Sequence, residues 1–134
     1  MSVAAYKRTM RETQSPRETE RQIISRITAG LALHAETYDA AETIAARLSI
    51  LAGGLQGPLS ENIRLWAALK ADLSRDENAL GPELRARLIS LALFVERHTT
   101  QVLRGEAKIG SLVMVNRALI DGLTGIAPPA PTDV

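Results

Sequence analysis

With 134 residues and a mass of 14.5 kDa, the chain is sized for one core, since single domains run to about 100–150 residues. Apolar residues make up 46% and charged residues 23%, a globular composition that excludes a disordered chain. Lys and Arg total 16 against 15 for Asp and Glu, too balanced for the dense positive field that polyphosphate binding rewards, so nucleic acid is not an expected partner.

From the N-terminus, Val3, Tyr6, Met10 and Thr13 share one helical face. Helices below about 12–15 residues barely hold alone, so this segment must dock or order on a partner. Lys7, Arg8, Arg11 and Glu12 interrupt it, leaving no continuous signal-peptide core. No stretch reaches the roughly 18 apolar residues of a membrane span, and a soluble cytoplasmic protein is expected. Ser15, Pro16 and Glu18 make a strong helix start: a capping Ser, Pro at the first helical position, and Glu three residues after the cap. Ile23, Ile24, Ile27, Leu31, His34 and Ala35 then fall in one apolar stripe, with Leu33 on the opposite side. Asp39 with Glu42 can begin a new helix, while the lack of Gly or Pro from Ala35 to Ile44 leaves one continuous helix open as the alternative. Gly53-Gly54 and Gln56-Gly57-Pro58 end it either way.

The next helix carries Leu59, Ile63, Trp66, Leu69 and Leu73 on one face, with Asn62 inside that stripe. Pro82 starts a helix to Arg104, terminated by Gly105. Leu84, Leu88, Leu91, Ala92, Val95 and Val102 form its main stripe, while Ile89, Leu93 and Phe94 occupy other sides. A helix apolar nearly all round is expected at the centre of a fold, with Leu88 deeply buried. The last helix, near Ile109 to Leu123, again holds an asparagine, Asn116, in its stripe. The expectation is therefore all-α: a compact bundle of about five to six helices packed as one layered core, a single domain over residues 1–125, and a flexible Pro-rich tail over 126–134. No alternating run argues for a strand.

The search for chemistry returns little. Without cysteine, disulfides, thiolate zinc sites and cysteine nucleophiles are excluded together. His34 and His98 are the only histidines, each on an apolar stripe without a partner at ligand spacing, which suits a core or helix-end role rather than a metal site. Asp72, Asp76 and Glu77 lie where a helix gives way to a turn, a place for solvated polar side chains. Gly53-Gly54 lacks the Lys-Ser/Thr of a phosphate loop. The arginines at 8, 11, 17, 21 and 26 are interleaved with Glu12, Glu18 and Glu20 and read as a solvated face. Trp66 at core spacing reads as packing. Asn62 and Asn116 are more informative, because a primary amide in an apolar stripe is costly unless bonded. They are expected to bond across helices and fix register, with a partner contact as the alternative. No catalytic residue, metal or cofactor is expected, and a helical chain of this kind is left with holding another polypeptide.

Several segments resemble, in order, the flagellar-biosynthesis regulator FlaF of alphaproteobacteria. They are Ser15-Pro16-Arg17-Glu18-Thr19-Glu20, Asn62-Ile63-Arg64-Leu65-Trp66, Asn78 to Arg85, Ile89-Ser90-Leu91 with Arg97-His98-Thr99, and Val115-Asn116-Arg117 with Gly122-Leu123. Residues 35–58 carry no such motif. The resemblance implies a non-enzymatic cytoplasmic protein acting on flagellin production, with flagellin as client and the flagellin-translation regulator FlbT as a functional partner. One function class is a chaperone that shields amphipathic flagellin helices before export, at a groove of the helix-in-groove kind. The other is a post-transcriptional regulator acting through FlbT or flagellin mRNA. Near-neutral charge and few aromatic platforms favour the first. The candidate client-binding residues are Val3, Tyr6, Met10 and Leu33.

Overall fold

A computed structural model of the chain describes residues 16–123. Helix α1 spans Pro16–Ala40, α2 Ile44–Ile50, α3 Gln56–Leu73, α4 Pro82–Leu103 and α5 Gly110–Leu123, with a π-helical turn, Leu51–Leu55, joining α2 to α3. Four of these helices are long, of 25, 18, 22 and 14 residues, while α2 has only 7. Among the described residues the bundle is thus built by four helices rather than the five to six expected. The N-terminal helix expected around Val3 to Thr13 and the Pro-rich tail lie outside the described residues.

Local chemistry explains most of the boundaries. Pro16 opens α1, where a missing N–H costs nothing, and Pro82 does the same for α4 after an extended Gly81. The chain does break between α1 and α2, but at Thr43, whose Oγ1 accepts the Ala46 N–H at 3.1 Å, and not at an Asp39–Glu42 box. Gly53-Gly54 does end the helix begun at Ile44: Gly54, at φ 145° and ψ -19°, is non-helical, and two helices meet there at a kink, in a backbone region that L side chains seldom enter. Gly57-Pro58 stops no helix. Gly57 and Pro58 then lie in the first turn of α3, where a proline is tolerated.

The helices form two antiparallel pairs, α1 with α5 and α3 with α4, joined through the face between α1 and α3. Gly30 allows α1 to cross α3 closely, since a Cβ there would lie 3.1 Å from Cγ of Pro58. Residues 35–58, without motif in the sequence, give Tyr38, Leu51, Leu55 and the edge of α3 to the core. The other main core members are Leu31, Leu59, Trp66, Val95 and Leu112.

Helix α4 is not central. It packs on α3 and only grazes α5, burying Ala92, Val95, Thr99 and Val102. Leu88 and Leu91 are half-buried, and Leu84, Leu93 and Leu103 are 42–48% exposed. Apolar residues around a whole circumference demand a neighbour on every side, and this helix lies at the edge of the bundle, with its remaining sides unpaired among the described residues.

Candidate functional site

Three helices converge on one buried polar hub. Thr28 of α1 follows Ile24 by one turn, Asn62 and Trp66 of α3 are four residues apart on one face, and Asn116 lies in the apolar stripe of α5; all are at most 4% exposed. The indole N–H of Trp66 donates to Oδ1 of Asn116 at 2.8 Å. The Asn116 amide donates in turn to Oγ1 of Thr28 at 3.0 Å and to Oδ1 of Asn62 at 2.8 Å. The Thr28 hydroxyl donates its own hydrogen bond to the Ile24 carbonyl at 2.6 Å. Asn116 thereby uses both amide hydrogens and its oxygen, whereas Nδ2 of Asn62 is buried without an acceptor among the described residues. Such an unpaired donor costs about 1–3 kcal/mol, so the hub is held by Asn116 at some expense at Asn62.

A second cluster ties the end of α1 to the loop before α5. Tyr38 is fully buried and its hydroxyl donates to the Val102 carbonyl. Burial pushes the Tyr38 phenol above its ordinary value, the nearby Arg47 guanidinium pulls it back, and Asp39 adds a smaller upward push. Arg47 lies 5.6 Å from the Tyr38 ring centre and donates to the Gly105 carbonyl at 2.8 Å. Asp39 accepts the N–H groups of Ile109 at 2.7 Å and Gly110 at 3.0 Å, so a carboxylate from α1 caps the first turn of α5. Neither Tyr38 nor Arg47 is singled out by the sequence, and Asp39, expected there to begin a helix with Glu42, instead caps α5. Tyr38 continues the Ile27–Leu31–Ala35 spacing and was legible as a core position; the distant cap was not.

The remaining sequence candidates do not converge. Pro16 and Glu18 open α1, with Glu18 exposed in its first turn, and Ser15 lies outside the described residues, as do Val3, Tyr6 and Met10. Leu33 is 78% exposed, on the far side of α1 from Ile24 and Leu31. His98 stacks on Phe94 with ring centres 5.0 Å apart, and its Nε2 lies 2.6 Å from the Lys108 carbonyl oxygen, so that nitrogen carries the proton. His34 is half-buried beside Gly54. Asp72 and Asn78 are bonded to each other in the turn after α3. No group of three or more His, Cys, Asp or Glu that could hold a metal occurs among the described residues, and no described helix is long and apolar enough to cross a membrane.

One cleft, of about 340 Å³, opens between α3 and α4. Leu59 is its buried base, Ile63 and Leu103 are its apolar walls, and Ser60, Glu96, Thr99 and Thr100 complete its lining. The hydroxyls of Thr99 and Thr100 bond back to the carbonyls of Val95 and Glu96. A Lys70–Glu96 ion pair crosses between the same two helices, one-third exposed on each side.

These features define an all-helical bundle protein whose buried polar groups hold helices together and whose surface keeps several large apolar side chains uncovered. A family model described as Flagellar protein FlaF matches residues 2–123, and the chain belongs to that family, in agreement with the resemblance carried by its five segments. No curated protein and no solved structure matches the chain.

Proposed function

We propose that this flagellar-family chain is a non-enzymatic, cytoplasmic chaperone that binds flagellin and covers its amphipathic helices before export. The observation that carries the reading is the uncovered apolar surface: Leu33 is 78% exposed, Met114 69% and Ile44 53%, with Leu48, Leu84, Leu93 and Leu103 above 40%. Single exposed leucines are ordinary, but this many on a small helical surface suit a binder of other apolar faces. Val3, Tyr6 and Met10 complete the proposed contact set with Leu33, because a short amphipathic segment gains order only by packing on something.

Co-purification of the intact chain with purified flagellin tests this directly. Capture is expected, and deletion of Ser2 to Thr13 should leave the bundle folded by circular dichroism while weakening capture. Equal capture by the truncated chain refutes the role of Val3, Tyr6 and Met10. Absence of flagellin binding, together with tight sequence-selective binding of flagellin mRNA or of FlbT, replaces the chaperone by a post-transcriptional regulator.

A further inference from the structure

The α3–α4 cleft carries an excess of positive charge at its rim, since Glu96, the acid that lines it, is already paired with Lys70. At 100° per residue, Arg97 and Arg104 fall on the solvent side of Thr100 along α4, and Arg64 falls beyond Ser60 on α3. None of the three forms an ion pair among the described residues, and the one contact of Arg64 is from Nε to the Ser60 carbonyl at 3.2 Å. The nearby acids are engaged, Glu61 by Arg26 at 2.9 Å and Glu96 by Lys70. Glu106 lies past Gly105, on the way to α5. The positions 89, 93, 96, 100 and 103 follow one side of α4 for about 21 Å, some four helical turns, and Leu93 and Leu103 on that side are 45% and 42% exposed.

We propose that this cleft seats a helix from a partner polypeptide, with leucine-like side chains entering between Ile63 and Leu103 and acidic residues on its flanks meeting Arg64, Arg97 and Arg104. The charge pattern selects the occupant. The chain's own first 15 residues carry Lys7, Arg8 and Arg11 against Glu12 alone, and a second copy docking through the same face would set arginines against arginines; like charges brought together this way oppose both. The cleft deepens the chaperone reading by naming where a client helix lies and which flank chemistry it needs.

Two probes test it with the full chain: a synthetic four-turn amphipathic peptide with a leucine face and glutamate flanks, and its lysine-flanked twin. Fluorescence anisotropy should show about tenfold tighter binding of the glutamate peptide, weakening with salt, and loss of that preference in the Arg64→Glu/Arg97→Glu/Arg104→Glu variant. Leu103→Gln, at an exposed position that leaves the fold intact by circular dichroism, should weaken both peptides several-fold, while Ile23→Gln, at a comparably exposed position on α1, should change neither. No preference between the peptides, or a preference that the arginine reversals leave intact, overturns the proposal. A dimer of the native chain that Leu103→Gln dissociates also overturns it, in favour of a second copy. Flagellin captured equally by the native and cleft variants refutes the cleft and spares the chaperone reading; peptide binding without flagellin capture does the reverse.

Discussion

Asn116 joins three helices through one amide, and that makes its replacement asymmetric with that of its neighbour Asn62. Asn116→Leu strands the Trp66 indole N–H and the Asn62 oxygen in the core, so a loss of about 2–4 kcal/mol is expected in urea unfolding. Asn62→Leu removes a donor that lacks an acceptor among the described residues and strands one Asn116 amide hydrogen in its place, the other staying on Thr28; with one unpaired donor exchanged for another, its cost should stay within about 1 kcal/mol. A large loss at Asn62 instead means that its Nδ2 is satisfied by water. Tyr38 supplies a pH dependence. Its phenol is raised by burial first, with Asp39 adding and Arg47 opposing, so the folded chain holds that proton more tightly than the unfolded one. The stabilisation is complete below the unfolded value of about 10 and is lost as pH rises through the higher folded value. Stability should therefore fall above about pH 10, and Tyr38→Phe should flatten that part of the curve while losing the bond to Val102 at all pH values.

Helix α5 is the shortest of the four long helices, at 14 residues, and its start depends on a residue 70 positions earlier in the chain. Two backbone N–H groups that no turn of its own can satisfy are taken by Asp39. Gly110 makes room for this, since a Cβ there would lie 3.2 Å from the carboxylate. Asp39→Ala should cost about 0.5–2 kcal/mol, and hydrogen exchange should show the loss first at the amides of Ile109 and Gly110. Protection lost evenly along all helices would show instead that the cap does not act locally. The hub lies about two turns further along α5, at Asn116, so cap and hub together hold both the start and the middle of this helix on α1.

For the molecule as a whole, α1, α3, α4 and α5 share the core, to which α4 gives Ala92, Val95 and Val102 from one face while lying along one edge. Leu31 is fully buried and Leu88 only half so. Leu31→Ala should accordingly cost about 2–5 kcal/mol, whereas Leu88→Ala should fall below that range. Thermal or urea unfolding of the two variants distinguishes this arrangement from one centred on α4, in which Leu88 would be the costlier loss. The edge placement also gives α4 its exposed leucines and makes the cleft with α3 available to another chain.

Local features were legible in the sequence because local physics makes them: Pro16 and Pro82 at helix starts, the helical period of Ile24, Ile27 and Leu31 or of Leu59, Trp66 and Leu73, and the two amides lying in apolar stripes. What those amides face could not be read, because Thr28, Asn62, Trp66 and Asn116 meet only after three helices pack. Periodicity records which side of a helix is apolar but not how many neighbours it will have, which is why the leucine-rich stretch from Pro82 to Arg104 read as central and folds at the edge. Nor does spacing reveal a cap supplied from another helix, as Asp39 supplies α5. The sequence by itself determined an all-helical chain with its main stripes, and these followed from side chains a few residues apart. The tertiary structure alone decided the order of packing, the polar hub and the arginine-flanked cleft, because each requires residues far apart in the chain to share one small volume.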